Sequence, residues 1–218
     1  MNYDSVMRYL AFIGFSTMLW SQEWSPAKEA ALATRLVAEH RRNLQIVENE
    51  TANSYLAAVV DRLRTSLPAQ MPAIRITVQA NEPSGLMQFP ASFPSGEVFA
   101  AARLIVEAPE EAVFVRQLAH AMAHISERHQ MRAVFRGDTA KVATIPLVFA
   151  GGLDRPALVP SAMQTKFRQF KTEAEALAAR MMENFLPDAR FVAVQAELRA
   201  LEPPRKPPTL RRANDPPR

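Results

Sequence analysis

No cysteine occurs among the 218 residues. That absence excludes a disulfide framework, a thiolate zinc site, a cysteine nucleophile and a lipid-bearing cysteine anchor. Any metal must be held by His, Asp or Glu, and the chain has four histidines. An excess of one charge is also missing from the body of the chain. The formal net charge is +4, and Pro203 to Arg218 alone carries Arg205, Lys206, Arg211, Arg212 and Arg218 against Asp215, so the tail holds the whole excess. A nucleic-acid surface needs basic residues gathered on the fold itself, and a near-neutral body argues against one.

Long apolar runs are scarce too. The uncharged stretch from Leu10 to Trp20 has eleven residues, against the roughly 20 that a bilayer span needs. It follows Arg8 and precedes small polar residues at Ser21 and Gln22, the layout of a secretory signal. Residues 1–22 are therefore expected to be a signal peptide or N-terminal anchor. The protein would then be exported, periplasmic or membrane-associated through its N-terminus. The other reading is an ordinary first helix packed on the core.

What remains is apolar enough for one core, with 48% hydrophobic residues, and its length favours a single domain over 23–202. Ser25-Pro26 opens a helix with a capping serine and proline at the first position. A second helix is expected in "NSYLAAVVDRLRTSL", stopped by Pro68. The alternation in Ile74–Val78 predicts a strand. The Pro- and Gly-punctuated segment after it reads as loops around a short strand or hairpin. Pro109-Glu110-Glu111 starts a further helix, with both acids favourably placed against its dipole. Residues 137–160 read either as a short buried helix or as a loop over a cleft. A long helix follows over Met163–Phe185, and Asp188 caps a last one. From Pro203 to Arg218, six prolines and five basic residues in sixteen positions predict a disordered tail.

The helix containing "QLAHAMAHISERH" (Gln117–His129) carries two histidines four apart. Phe114, Leu118, Met122 and Ile125 form its apolar stripe, while Val113, His120, His124 and Glu127 lie on another face. His120 and His124 stack one turn apart, as two ligands of one metal require; two hydrogen-bonded histidines are the other reading of that spacing. His129 falls on the apolar side, which suits packing or hydrogen bonding.

The run "FPSGEVFAAARLIVEAPEEAVFVRQLAHAMAHISERH" resembles the zinc metallopeptidases of the HtpX and CAAX prenyl protease type, the minigluzincin group. The likeness lies in the Pro94-Ser95-Gly96 turn, the apolar strand from Val98-Phe99, the acidic helix start, the histidine pair and the closing Arg128-His129. A later segment, "TEAEALAARMM" from Thr172 to Met182, resembles the family's Glu-x-Glu-Ala-Asp helix. The match runs from about Ser25 to Leu201. It implies an α+β fold, a mostly helical zincin-like domain with a small β-sheet or hairpin beside the active-site helix. It also implies one zinc ion held by His120, His124 and Glu173, with Glu175 as the competing third ligand. Two imidazoles and a carboxylate leave zinc an open fourth position.

The chain departs from that family at two positions. Ala121 stands where the family has the glutamate that takes a proton from zinc-bound water, and loss of a general base costs about 10² to 10⁴ in rate. Leu177 stands where the family has aspartate, and losing a carboxylate that orients a ligand costs about 10- to 100-fold. No catalytic residue is therefore assigned. Glu127, on the histidine face, is expected to orient His124. The resulting expectation is a zinc-peptidase-like protein whose hydrolysis is weak or lost, taking a polypeptide substrate or client by strand addition near Val98 and Phe99. The alternatives are a metal-free binding or scaffold protein of the cell envelope and a working protease with a substitute base.

Overall fold

A computed structural model describes residues 26–42, 44–80, 89–136 and 161–201. The expected signal segment, the ambiguous stretch 137–160 and the Pro-rich tail lie outside the described residues. Among these residues are seven helices and a three-stranded sheet, an α+β arrangement dominated by helix. No helix among them is long and apolar enough to cross a membrane.

Helix α1 (Pro26–Arg42) begins at the expected proline. Helix α2 (Glu50–Arg64) begins earlier than its apolar pattern suggests, because Asn49 caps it and its side chain accepts the Ala52 amide at 2.7 Å. Such a cap satisfies one of the unpaired amides of the first turn. Strand β1 (Arg75–Gln79) follows, then β2 (Ala91–Ser92) and β3 (Glu97–Ala101). The sheet order is β1-β3-β2, with β1 parallel and β2 antiparallel to β3. Val98 and Ala100 join one apolar cluster while Phe99 and Ala101 join another. The strand is thus buried on both faces, which is why it reads as a continuous apolar run instead of an alternating one.

This topology corrects the expected docking edge. Val98 pairs with Ile76 on one side and Ser92 on the other, and Phe99 pairs with Thr77 and Ala91, so β3 is the central strand. Its backbone groups are committed to the sheet. On its far side from β1 the described edge is β2. There Gln130 already donates to the Ser92 Oγ at 2.7 Å and to the Ser92 carbonyl at 3.4 Å.

Short helix α3 (Ala102–Val106) leads to α4 (Glu111–Ser126), the helix with the histidine pair. The expected stripe of Phe114, Leu118, Met122 and Ile125 is buried. So are Val115, Ala119, Ala121 and Ala123, because α4 lies inside the fold instead of on its surface. It packs along α6 (Ser161–Met182), with α7 (Arg190–Leu201) nearer α2 and α3. Glu111, expected only to favour the helix dipole, is buried and ties three elements together. It accepts from the Tyr55 hydroxyl at 2.9 Å and from the Asp188 amide at 2.5 Å. Burial, and then this hydrogen bond to a carboxylate, push the Tyr55 phenol well above its usual pKa.

Two backbone positions shape the surroundings of α4. Gly96, at φ +96°, closes the Phe93–Gly96 turn, with its amide on the Phe93 carbonyl at 2.9 Å. A Cβ there would stand 2.2 Å from the Ala73 carbonyl oxygen. Arg128, at φ +53°, ends α4 and turns the chain into α5 (His129–Arg136). The helix therefore does not continue through Arg128-His129.

A side chain in the left-handed region costs about 1–2 kcal/mol, and at position 96 the collision adds to that. Gly96→Ala should lower the unfolding free energy by more than about 2 kcal/mol, whereas Arg128→Gly should leave it unchanged or raise it. Urea unfolding of both variants checks this; an unchanged midpoint in Gly96→Ala would contradict the turn geometry.

Candidate functional site

Helix geometry places His120 and His124 one turn apart on α4, with ring centroids 4.7 Å apart and planes at 80°. Their Nε2 atoms are 3.0 Å apart. That is the separation of an N–H···N hydrogen bond, and it is close to the ~3.3 Å between two nitrogens on a tetrahedral ion with Zn–N near 2.0–2.1 Å. The pair is therefore compatible with neighbouring positions on one metal.

Glu173 lies elsewhere. Its Oε2 is 2.9 Å from His129 Nε2 and accepts from Arg132 Nη1 at 3.0 Å, and its Oε1 accepts from Gln169 Nε2 at 2.7 Å. His129 in turn sets its Nδ1 2.9 Å from His124 Nδ1. The imidazole of His129 thus stands between the expected third ligand and the expected pair. Among the described residues, no three His, Asp or Glu side chains are grouped so that they could hold a metal. In this arrangement the three-ligand set of His120, His124 and Glu173 is not assembled, and no step is assigned to a metal.

His129 is fully buried and stacks on Phe170, with centroids 4.6 Å apart at 24°. The Arg132 guanidinium sits 4.7 Å from the same ring, a cation–π contact that holds it beside Glu173. Burial pulls the His129 pKa down to about 4, and the nearby His124 and Arg132 add to that against the hydrogen bond to Glu173. For Glu173 burial acts upward, but the hydrogen bonds from His129, Arg132 and Gln169 outweigh it and hold the carboxyl near 2. The ring is neutral and the carboxylate ionised at neutral pH.

A cavity of about 200 Å³ opens between α4 and α6, lined among others by Pro90, Arg116, His120, Ala121, Lys171 and Glu175. Of the two candidate glutamates, Glu175 shares this cavity with His120, while Glu173 faces α5. Two residues apart on a helix means about 200° of rotation, which separates their environments. Glu175 Oε1 is 3.9 Å from Lys171 Nζ one turn away, a pairing between exposed side chains. Ala121 contributes a methyl group to the wall, and Leu177 is buried in the main apolar cluster. His124 has His129 on its Nδ1, and Glu127, expected to orient His124, is an exposed residue at the C-cap of α4. Arg132 and Phe170 were not foreseen from sequence. Gln169 was detectable in principle from its i,i+4 spacing to Glu173.

For the metal-free chain, both shifts have the same sign. His129 ionises near pH 6.5 when unfolded but near 4 when folded, so its contribution is present above 6.5 and lost as pH falls through 4. Glu173 contributes above 4.5 and loses its contribution as pH falls through 2. Stability should therefore fall from about pH 6.5 downward, by up to roughly 3 kcal/mol from His129. Urea midpoints between pH 8 and 4 test this. His129→Gln should flatten the part between about 6.5 and 4.5, and an equally steep limb in that variant would exclude His129 as its source.

Compared with protein-family models the chain matches none, and compared with curated proteins it finds no match.

Proposed function

We propose that the chain is a zinc-metallopeptidase-like protein whose hydrolytic activity is weak or lost, and which holds a polypeptide segment in the cleft between α4 and α6. The observation that carries this reading is Ala121 in the cavity wall beside His120. An alanine can neither take a proton from water nor return one to a leaving amine. Zinc, where bound, would sit on the Nε2 atoms of His120 and His124, and their 3.0 Å spacing supports that placement. Polypeptide pairing would use the β2 edge, where Ser92 would have to exchange its Gln130 contacts for those of an added strand. Export through residues 1–22 belongs to the same proposal and would place the protein in the periplasm or at the membrane.

A metal-free binding or scaffold protein of the envelope is the second reading. It is favoured by Glu173, whose two oxygens are already taken by Arg132, His129 and Gln169.

Zinc content and proteolysis separate these readings. The leading one expects about one zinc per chain, lost in His120→Ala, and little cleavage of an unfolded protein substrate. Ala121→Glu should raise that cleavage by about 10²-fold. A wild type that cleaves as fast as Ala121→Glu overturns the degenerate-site reading, and a native protein without zinc selects the scaffold.

A further inference from the structure

We infer that Glu173 acts on the histidine pair from one ring away, as a positioning residue that sets the proton pattern of His124 through His129, and not as a third metal ligand. The inference rests on the reading of His120 and His124 as the centre of the site. Four groups lie in series, with contacts of 3.0 Å from His120 to His124, 2.9 Å from His124 to His129, and 2.9 Å from His129 to Glu173.

A neutral imidazole has one N–H and one lone pair. A row of three such rings has two self-consistent proton arrangements, one the reverse of the other. The ionised carboxylate at one end breaks that equivalence, because it only accepts. His129 must then donate from Nε2 to Glu173, which leaves its Nδ1 as acceptor. His124 must donate from Nδ1 into that lone pair, which leaves its own Nε2 as acceptor. His120 must donate from Nε2 to His124. Along these three contacts, each proton position follows from the one charge at Glu173.

The surroundings hold that end in place. Arg132 supplies the counter-charge at 3.0 Å and Gln169 a neutral donor at 2.7 Å. Phe170 fixes the plane of His129 by stacking and carries the Arg132 guanidinium over its ring. His124 and His129 are buried, so water cannot readily exchange into the contact between them. The consequence is that His124 keeps its Nε2 lone pair directed at the His120 side, the tautomer in which an imidazole can act as a ligand through Nε2, before any metal arrives, whereas His120 would have to give up its Nε2 proton before it could ligate beside it. A carboxylate that orients a ligating histidine through hydrogen bonds is a general means of setting tautomer and ring direction; here one more imidazole is inserted between them.

The test is long-range ¹H–¹⁵N NMR of the full chain, labelled on histidine, stripped with chelator and held near neutral pH. This distinguishes a protonated ring nitrogen from one bearing a lone pair. The expected wild-type pattern is N–H at Nδ1 of His124 and at Nε2 of His129 and His120. Glu173→Ala should convert His124 and His129 to mixtures of both tautomers. Glu173→Gln, which carries no charge and can donate as well as accept, should lose the single pattern as well. A wild-type His124 protonated at Nε2, or a pattern unchanged in Glu173→Ala, overturns the inference. The wild-type spectrum decides alone if the alanine variant does not fold. Because the protein is metal-free and no cleavage is measured, the result is independent of whether the chain hydrolyses peptides.

Discussion

The reversal of the chain at Arg128 is the constraint on which the site depends. On a continuous helix, His129 would lie about 140° around the axis from His124 and could not touch it. The left-handed residue at Arg128 ends α4, starts α5 at His129 and returns the imidazole to His124. The same turn brings Arg132, one helical turn further on, against Glu173 of α6. A single backbone conformation thus converts a sequence that reads as one helix into two helices that meet over the histidines. Non-glycine residues in that region carry a strain of about 1–2 kcal/mol. The burial of His129 against Phe170 and its bond to Glu173 hold the turn in place.

Glu173 is the electrostatic centre of what the reversal assembles. Its side chain is 31% exposed, so it is neither a deeply buried charge nor a free surface one. A carboxylate in such a position is held by its donors more than by the medium, and it has three of them, His129 and Arg132 from α5 and Gln169 from its own helix. They keep it ionised, while burial keeps His129 neutral against the pull of that same carboxylate. Glu111 plays a comparable part at the other end of α4, where Tyr55 and the Asp188 amide satisfy its carboxylate. The central helix is therefore anchored near both ends by an acid that it meets or carries, with alanines between them allowing close contact with its neighbours.

Between these anchors lies the cavity beside His120. Its wall at Ala121 is apolar, Leu177 turns inward to the core, and the charged groups there are Arg116, Lys171 and Glu175. Behind His120 lie the buried imidazoles of His124 and His129, in a row that ends on Glu173. An arrangement of this kind orients the rings, and Ala121 brings only a methyl group to the wall beside His120.

The coarse architecture was legible in the residues, because periodicity and punctuation act locally. The apolar stripe of α4, the proline opening α1, the Asp188 cap and the strand beginning near Ile74 all follow from side-chain spacing and backbone preference. The spacing of His120 and His124 was equally local, since one helix holds both. Which strand lies at the edge was not, because sheet order depends on pairing between distant segments, and β3 became the centre only when β1 and β2 docked on either side. Nor was the placement of Glu173. The sequence by itself determined that His120 and His124 would stand together and that Ala121 would supply no base. The tertiary structure decided that Glu173 would face His129 and Arg132, because the turn at Arg128 and the packing of α5 on α6 set that contact between residues more than forty positions apart.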